Sequence, residues 1–264
     1  MAQPKFACAA WGFREMALPE YFAASKKLGI DLVEVNVSAN TPKHLTYDAT
    51  DAQIAEMEEM AEDAGVTVVA LAGGNNFAAA DLQAEIDKVK RQIDMTAAAG
   101  AQVLRIFAGW VGAAGFNDET FATISEALQT VGEHAEDAGV LVAVENHGGV
   151  TATGAQCLRL LEPVTSPAVG LNYDPANFRH ATEDALAALL VTCDRVNYSH
   201  WKDVHYVDGE PEYCAVGEGV IDWQPIVDHL IASGFDGYWA IEYEAVEDVE
   251  RGTRDSLACL KGLL

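Results

Sequence analysis

One local pattern recurs five times in this chain: an amphipathic segment, a glycine, and then a short apolar run. In "EDAGVTVVALAGG" (62–74), as in the other copies, the glycine stands where the end of a helix needs a left-handed residue. The apolar runs are continuous rather than alternating, which is typical of parallel strands buried on both faces. The glycines are Gly29, Gly65, Gly100, Gly139 and Gly234. The pattern therefore predicts helices that alternate with parallel strands.

Eight such apolar runs can be counted, and a segment of helical periodicity follows each. The predicted strands are 5–10, 31–37, 66–73, 103–108, 141–146, 169–173, 195–200 and 238–243. Eight alternating units in 264 residues predict a single (β/α)8 barrel domain over residues 1–264, with a doubly wound open sheet as the alternative. The longest irregular piece is 201–221, in which "DGEP" predicts a turn or a hairpin tip.

Composition narrows the possible partners and the compartment. The chain has 41 acidic against 16 basic residues, a net charge of −25, and such a surface repels phosphate backbones, so we expect no nucleic-acid partner. No stretch reaches the roughly 18 apolar residues of a membrane span. The segment "MAQPKFACAAWGFRE" lacks a basic leader and is interpreted as a first strand. Five scattered cysteines without a CxxC motif favour a reducing, cytoplasmic location.

The last four predicted strands each end in a residue that can bind a metal ion. These residues are Glu145, in "LVAVENHGG", and Asp174, His200 and Glu242. In a barrel of this kind the carboxyl ends of the strands form one rim, and neighbouring strands lie about 4.8 Å apart. Three carboxylates this close repel one another unless a cation lies between them. The sequence therefore predicts one divalent metal ion; mixed oxygen and imidazole ligands favour Mn²⁺, with Co²⁺, Fe²⁺, Zn²⁺ or Mg²⁺ as alternatives.

Other polar and aromatic residues at this rim are candidates for substrate binding. The candidate substrate-binding residues are His147, Lys202, Glu34, Arg105, Asn177 and Trp110. Glu34 and Arg105 could form an ion pair in the pocket wall. His147 could bind a substrate hydroxyl or brace Glu145, and Lys202 could hold a substrate oxygen or pair with Asp203 or Glu242.

Four aromatic side chains near the strand ends could stack on a sugar ring: Trp11, Phe107, Trp110 and Trp201. Two histidines, His44 and His205, lie in predicted loops on the same side of the barrel. For the aromatic residues a structural role is as good an interpretation, and for the two histidines it is the better one.

Five short motifs stand in a fixed order: "VAVENHGG", "GLNYDPANF", "YSHWKD", "GEGVIDW" and "GYWAIEYE". In this order and spacing the chain resembles the xylose isomerase-like TIM-barrel superfamily, the sugar phosphate isomerase/epimerase group, over essentially its whole length. The resemblance implies that Glu145, Asp174, His200 and Glu242 bind the metal, and that Glu145 and Glu242 also transfer protons. It further implies a homo-oligomer, because relatives commonly form dimers or tetramers.

The chain departs from two subgroups of this superfamily. Ketose epimerases commonly have a histidine three residues after the strand-6 aspartate and an arginine six residues after the strand-7 histidine; here these positions are Asn177 and Tyr206. The related AP endonucleases need further zinc ligands at positions that are Asn177, Pro211 and Tyr213 in this chain. The first departure weakens a ketose epimerase assignment, and the second, together with the acidic charge, argues against DNA repair.

The expected activity is a metal-dependent isomerisation or epimerisation of a sugar or sugar-like hydroxy-ketone. The ion would chelate the carbonyl oxygen and an adjacent hydroxyl, one of Glu145 and Glu242 would remove a proton, and the other would return it. A dehydratase of the inosose or dehydroshikimate type is the alternative, because it begins with the same proton abstraction. A non-catalytic sugar-binding barrel is a third reading, although pure binding does not need two acid/base groups.

Overall fold

A computed structural model describes residues 3–112, 115–245 and 247–264. Eight parallel strands close into a barrel whose first strand pairs with its last. The barrel strands are β1 Lys5–Cys8, β2 Leu32–Asn36, β3 Thr67–Ala72, β4 Val103–Phe107, β5 Leu141–Glu145, β6 Val169–Tyr173, β7 Val196–Trp201 and β10 Tyr238–Ile241. The predicted (β/α)8 barrel is confirmed, and the open-sheet alternative is wrong.

Helices surround the barrel and follow its strands along the chain. They are α1 Leu18–Lys27, α2 Asp51–Ala64, α3 Leu82–Ala98, α4 Asp118–Ala138, α5 Gly154–Leu161, α6 Pro175–His180, α7 Ala185–Thr192, α8 Trp223–Ser233 and α9 Val249–Gly262. All five glycines of the repeated pattern have positive φ angles, between 59° and 80°. The predicted left-handed helix ends are therefore confirmed.

The strands follow the predicted runs but several stop earlier at the rim. The first predicted strand, 5–10, ends at Cys8, and the last, 238–243, ends at Ile241. Beyond these points a few backbone bonds continue, such as that from Ala9 N to Ile241 O at 2.9 Å. The apolar composition persists after the regular ladder stops, because the residues that leave the strands remain buried at the rim.

The irregular piece after β7 contains an antiparallel hairpin of β8 Asp203–Val207 and β9 Glu210–Cys214. Its two-residue turn is Asp208–Gly209, and both residues have positive φ angles (55° and 88°). This conformation is typical of a tight hairpin turn and suits an Asp-Gly sequence. The hairpin tip predicted at "DGEP" is confirmed.

Two apolar layers position the site. The larger layer lies between strands and helices, and the smaller one lies inside the barrel, where alanines are common. The small interior side chains are Ala7, Ala9, Ala70, Ala143 and Ala240. Because they occupy little volume, long polar side chains from neighbouring strands can reach the barrel axis.

All five cysteines are free thiols. Among the described residues, no helix has both the length and the apolar character needed to cross a bilayer.

Candidate metal and catalytic site

The four predicted metal ligands converge at the carboxyl end of the barrel. Glu145 is the last residue of β5, His200 lies within β7, and Asp174 and Glu242 directly follow β6 and β10. One ligand atom from each side chain lies within 4.8 Å of all the others, and the four residues are at most 3% exposed. The strand topology thus brings together residues up to 97 positions apart, as the alternating pattern predicts.

Two buried atoms of this cluster make no hydrogen bond within the described residues, so each keeps lone pairs that a cation could take. They are Glu145 Oε2, which Arg105 Nε approaches to 3.1 Å as an ion pair, and His200 Nδ1. They lie 3.8 Å apart, and His200 Nδ1 lies 3.3 Å from Glu242 Oε2. Buried polar atoms without partners are costly, and carboxylate oxygens with one imidazole nitrogen form a suitable donor set for a divalent ion. The side chains present therefore fit the metal that the sequence predicts.

Glu34 orients His200 from the opposite side of the barrel. Its Oε2 lies 2.9 Å from His200 Nε2 and accepts a hydrogen bond of 3.1 Å from the hydroxyl of Tyr198. Metal-binding histidines are commonly held in this way by a carboxylate on the second ring nitrogen. Although burial disfavours the imidazolium, Glu242 and Glu34 raise the pKa of His200 well above its ordinary value. Glu34 therefore orients His200, a predicted ligand, and is not among the residues that line the cavity.

Arg105 pairs with Glu145, so the predicted ion pair between Glu34 and Arg105 is wrong. Its Nε lies 3.1 Å from Glu145 Oε2, and its guanidinium also donates to Gly73 O and covers the ring of Phe107. The two side chains lie at different heights along the barrel axis. Arg105 extends towards the carboxyl end of the neighbouring β5, where Glu145 lies, whereas Glu34 contacts His200 further from that end. Burial raises the pKa of Glu145, but Arg105 and His200 outweigh this and lower it overall.

Lys202 is a buried cation inside the carboxylate cluster. Its Nζ lies 3.0 Å from both Asp174 Oδ2 and Glu242 Oε2, and it also contacts Glu244. Burial opposes its charge, but these carboxylates raise the pKa of Lys202 well above the ordinary value. Burial likewise raises the pKa of Asp174 to about 7, and Lys202 offsets only part of this effect. The predicted pairing with Glu242 is confirmed.

Two asparagines brace the predicted ligands Glu145 and Asp174. Asn177 Nδ2 donates to Glu145 Oε1 at 2.9 Å and to Asp174 Oδ2 at 3.1 Å. Asn146 exchanges two 2.8 Å hydrogen bonds with the backbone of Asp174, which ties the ends of β5 and β6 together. Asn177 is 6% exposed, so it lies behind the ligands, and the substrate contact predicted for it remains a prediction.

A cavity of about 590 Å³ opens above these residues. Of the four predicted ligands, Glu145 and Glu242 border it, whereas Asp174 and His200 are 0% exposed and lie beneath. Arg105, which is 5% exposed, also borders the cavity. A substrate in this cavity would therefore meet the two glutamates that the sequence assigns to proton transfer.

His147 borders the same cavity within an aromatic group. Its ring packs edge-on against Phe107 and Trp110, at centroid distances of 5.2 Å each. Trp110 is 53% exposed at the cavity mouth, and Trp11 also lines the cavity. Trp201, in contrast, is fully buried and stacks on Trp239 at 4.1 Å, so its predicted contact with a sugar is wrong. This direction could have been predicted from the alternation of side chains along a strand, because Trp201 follows inward-facing His200 and therefore points outward.

Several cavity residues were missed by sequence reasoning because they come from loops, from a helix and from the β8–β9 hairpin. They are Asn40, Tyr47, Gly73, Gly74, Asn75, Asn76, Lys88, Tyr213 and Glu244. Asn75 joins the β3 end to β4 through two hydrogen bonds with the backbone of Phe107. The polar "GGNN" segment at 73–76, directly after a buried strand, is the signal that could have indicated this wall.

The two loop histidines lie away from the cavity. His44 is 7% exposed and stacks on Tyr21 at 5.6 Å. His205 lies on the exposed hairpin, 3.2 Å from Glu212. Neither side chain contacts the four predicted ligands in the described contacts, so a structural role is the better interpretation of both.

His44 should make folding stability depend on pH. Burial lowers its pKa to about 4, against 6.5 in the unfolded chain, and the backbone of Phe13 and Met16 offsets only part of this. Between these values the unfolded chain binds more protons, so stability falls as the pH falls from about 6.5 to about 4, by up to about 3 kcal/mol. Urea unfolding at pH 7.5, 5.5 and 4.5 should show a smaller acid-induced loss in His44→Phe than in the wild type. Identical losses would contradict this, and His229→Phe on α8 controls for replacing a histidine.

Comparison with known proteins agrees with the fold. The family described as "Xylose isomerase-like TIM barrel" matches residues 22–263, and the chain belongs to this family. Its sequence is similar to an inosose dehydratase of Lacticaseibacillus casei, with 26% identity over 145 residues, 49% of each chain. The match thus spans about half the length of that relative.

Solved structures show the same fold at low sequence identity. An L-ribulose 3-epimerase superposes with a TM-score of 0.81 and 19% identity, covering 99% of this chain and 95% of the other. A xylose isomerase-like TIM barrel protein of Mycobacterium smegmatis, in complex with magnesium, superposes with a TM-score of 0.80 and 14% identity, covering 99% and 97%. At these identities the likeness establishes the barrel architecture.

Proposed function

We propose that the protein is a divalent-metal-dependent isomerase or epimerase of a sugar or sugar-like hydroxy-ketone. The observation that carries this proposal is that Glu145 and Glu242 belong to one buried ligand cluster and also border the cavity. Two carboxylates on either side of a substrate are what proton removal and return require. The L-ribulose 3-epimerase among the similar structures supports an activity of this class.

The ion would be held by Glu145, Asp174, His200 and Glu242. A bound divalent ion would polarise a substrate carbonyl and offset the negative charge that forms when a neighbouring carbon loses its proton. We propose Mn²⁺ because one imidazole accompanies the carboxylates. The magnesium in the Mycobacterium smegmatis protein makes Mg²⁺ the first alternative to test.

The chain keeps both glutamates ionised, which is the form that can accept a proton. Burial raises the pKa of Glu242, but His200 and Lys202 outweigh this and lower it well below the ordinary value. The pKa of Glu145 is also lowered, so both side chains are carboxylates near neutral pH. One carboxylate accepts the proton beside the carbonyl; its return at another atom gives isomerisation, and its return on the opposite face, through the second carboxylate, gives epimerisation.

Solvent deuterium exchange tests this proposal. The chelator-dialysed protein, with and without added Mn²⁺ or Mg²⁺, is incubated in D₂O with D-fructose, D-tagatose, L-ribulose and 2-keto-myo-inositol. We expect metal-dependent deuterium incorporation beside the carbonyl of at least one ketose, without a change in the carbon skeleton. Full exchange after complete metal removal would contradict the metal requirement, and no exchange in any ligand would favour the non-catalytic sugar-binding barrel.

A dehydratase is the second candidate, and one comparison favours it. The similar inosose dehydratase suggests an enzyme that expels a hydroxyl group after the same proton abstraction. His147 borders the cavity and could protonate such a leaving group. A dehydratase product is lighter by one water, so mass spectrometry of the exchange reaction separates the two candidates.

The substitution His147→Phe distinguishes the isomerase or epimerase from the dehydratase by testing one side chain. Phenylalanine retains the edge-on packing against Phe107 and Trp110 but cannot donate a proton. For an isomerase or epimerase we expect the exchange rate to stay within about tenfold of the wild type, because the carboxylates carry the proton. A loss of about 10²-fold or more in the rate of water loss, the usual contribution of a general acid, with the exchange rate retained, would instead indicate the dehydratase. Initial rates of deuterium incorporation and of water loss are the two measurements.

The assembly remains a proposal as well. We expect a homo-oligomer, and light scattering of the purified chain measures its oligomeric state directly. We expect its substrate to be a sugar or polyol.

A further inference from the structure

The cavity is larger than one monosaccharide requires. Its 590 Å³ would hold about 20 water molecules at liquid density, well above the number of non-hydrogen atoms in one hexose. Glu145, His147 and Glu242 border one side. The opposite side, which contains none of the four ligands, is formed by the β2 and β3 ends, their loops and α3. We call it the distal pocket, and its residues are Asn36, Ser38, Asn40, Tyr47, Asn76 and Lys88.

The distal pocket presents neutral polar groups. Amides and hydroxyls dominate, and the cation among its residues, Lys88, is already compensated. Its Nζ lies 2.6 Å from Glu85 Oε2 and 5.2 Å from the centre of the Tyr47 ring. Glu85 in turn accepts a hydrogen bond of 2.6 Å from Asn76 N, which fixes the carboxylate in place. A phosphate group would have to compete with Glu85 for this lysine, so an uncharged group fits better.

Asn36 gives the distal pocket an unsatisfied donor. It is 2% exposed and lines the cavity, yet its Nδ2 makes no hydrogen bond within the described residues. A buried donor without a partner destabilises the ligand-free protein and is relieved when a ligand hydroxyl binds. At the cavity mouth, Trp11 and Trp110 add aromatic faces of the kind on which sugar rings pack.

We propose that the distal pocket binds a second, uncharged ring, so that the substrate is a glycoside or a comparable two-ring polyol. The ketone-bearing ring lies beside Glu145 and Glu242, and the second ring extends towards Asn36 and Lys88. This inference rests on the proposed function for the placement of the ketone. It excludes a phosphorylated monosaccharide as the preferred substrate.

Three ligands with the same ketose end test the inference. They are D-fructose, isomaltulose, which carries a glucosyl group on O6 of fructose, and fructose 6-phosphate. Calorimetric titration into the Mn²⁺-loaded full chain should show isomaltulose binding at least about tenfold more tightly than fructose, the value of one or two additional hydrogen bonds. Fructose 6-phosphate should bind no more tightly than fructose. Isomaltulose without this advantage, including no binding of either sugar, or fructose 6-phosphate binding most tightly, would overturn the inference.

Asn36→Leu tests the donor itself, since leucine has a similar volume and no polar atoms. We expect the isomaltulose-to-fructose affinity ratio to fall about tenfold, while Tm rises or stays constant because an unsatisfied donor is gone. A purely structural Asn36 would instead lower Tm and leave the ratio unchanged. Lys88→Met should reduce isomaltulose binding without a selective loss of fructose 6-phosphate binding. Lys90→Met, on the same helix but outside the cavity, is the matched control.

The affinity ratio tests the distal pocket and the exchange reaction tests the proposed activity, so either proposal can be overturned without the other. A preference for isomaltulose without deuterium exchange in any ketose would retain the distal pocket and overturn the proposed reaction. Exchange with free fructose but no preference for isomaltulose would do the reverse.

Discussion

Glu145→Gln should reduce metal-dependent proton exchange by about 10³-fold or more, within the range that a general base contributes and with a metal ligand weakened as well. Glutamine keeps the shape of the side chain and can still accept from Asn177, so the barrel should fold. It removes the charge that pairs with Arg105 at 3.1 Å and the basic oxygen that faces the cavity. Because the lost pair with Arg105 is buried, Tm should fall as well, but the variant that remains folded should still show this loss in kcat for exchange.

The measurement is deuterium incorporation at saturating ketose and Mn²⁺, together with thermal unfolding of the same samples. Glu126→Gln, an identical chemical change on the exposed surface of α4, should exchange at the wild-type rate. If Glu145→Gln retained more than about a tenth of the activity, Glu145 would be neither the base nor an essential ligand.

Lys202→Met should strongly destabilise the metal-free protein. Lys202 is 1% exposed and lies 3.0 Å from oxygens of both Asp174 and Glu242. Methionine fills much of the same volume but leaves these carboxylates buried without their cation. Breaking a buried pair by removing one partner typically costs about 3–5 kcal/mol. For a chain of this size we expect Tm to fall by roughly 10 °C.

A divalent ion should restore part of the lost stability of Lys202→Met. The increase in Tm on adding the ion should be larger for this variant than for the wild type. Thermal unfolding of both proteins with EDTA and with excess Mn²⁺ measures the two increments, because an ion that binds only the folded state raises its stability. Lys261→Met, at the exposed end of α9, should change the unfolding free energy by less than about 1 kcal/mol. An unchanged Tm in metal-free Lys202→Met would show that Lys202 does not compensate the cluster.

The barrel and the convergence of the four candidate metal ligands could be predicted from sequence because both depend on position along the strands. Once eight strands alternate with helices, the ends of the last four must meet at one rim, and Glu145, Asp174, His200 and Glu242 occupy those ends. The direction of side chains along a strand is also set by alternation, which explains the inward His200 and the outward Trp201.

Contacts across the barrel could not be predicted in the same way. Glu34 and His200 are 166 residues apart and meet because of the tilt and stagger of the strands, which the sequence pattern does not contain. Arg105 pairs with Glu145 and not with Glu34 because of the same stagger between strands. The distal pocket depends on the paths of two loops and on the reach of Lys88 from α3, so its residues could be found only in three dimensions.

The buried Lys202 would allow this protein to fold without the metal ion proposed for it. With one positive charge already between Asp174 and Glu242, the barrel can close while the cell is short of the ion, and the carboxylates do not have to wait for a cation to lose their mutual repulsion. We therefore expect newly made chains to persist as intact, loadable barrels. The identity of the ion bound in a given cell would then follow the metals available to it after synthesis.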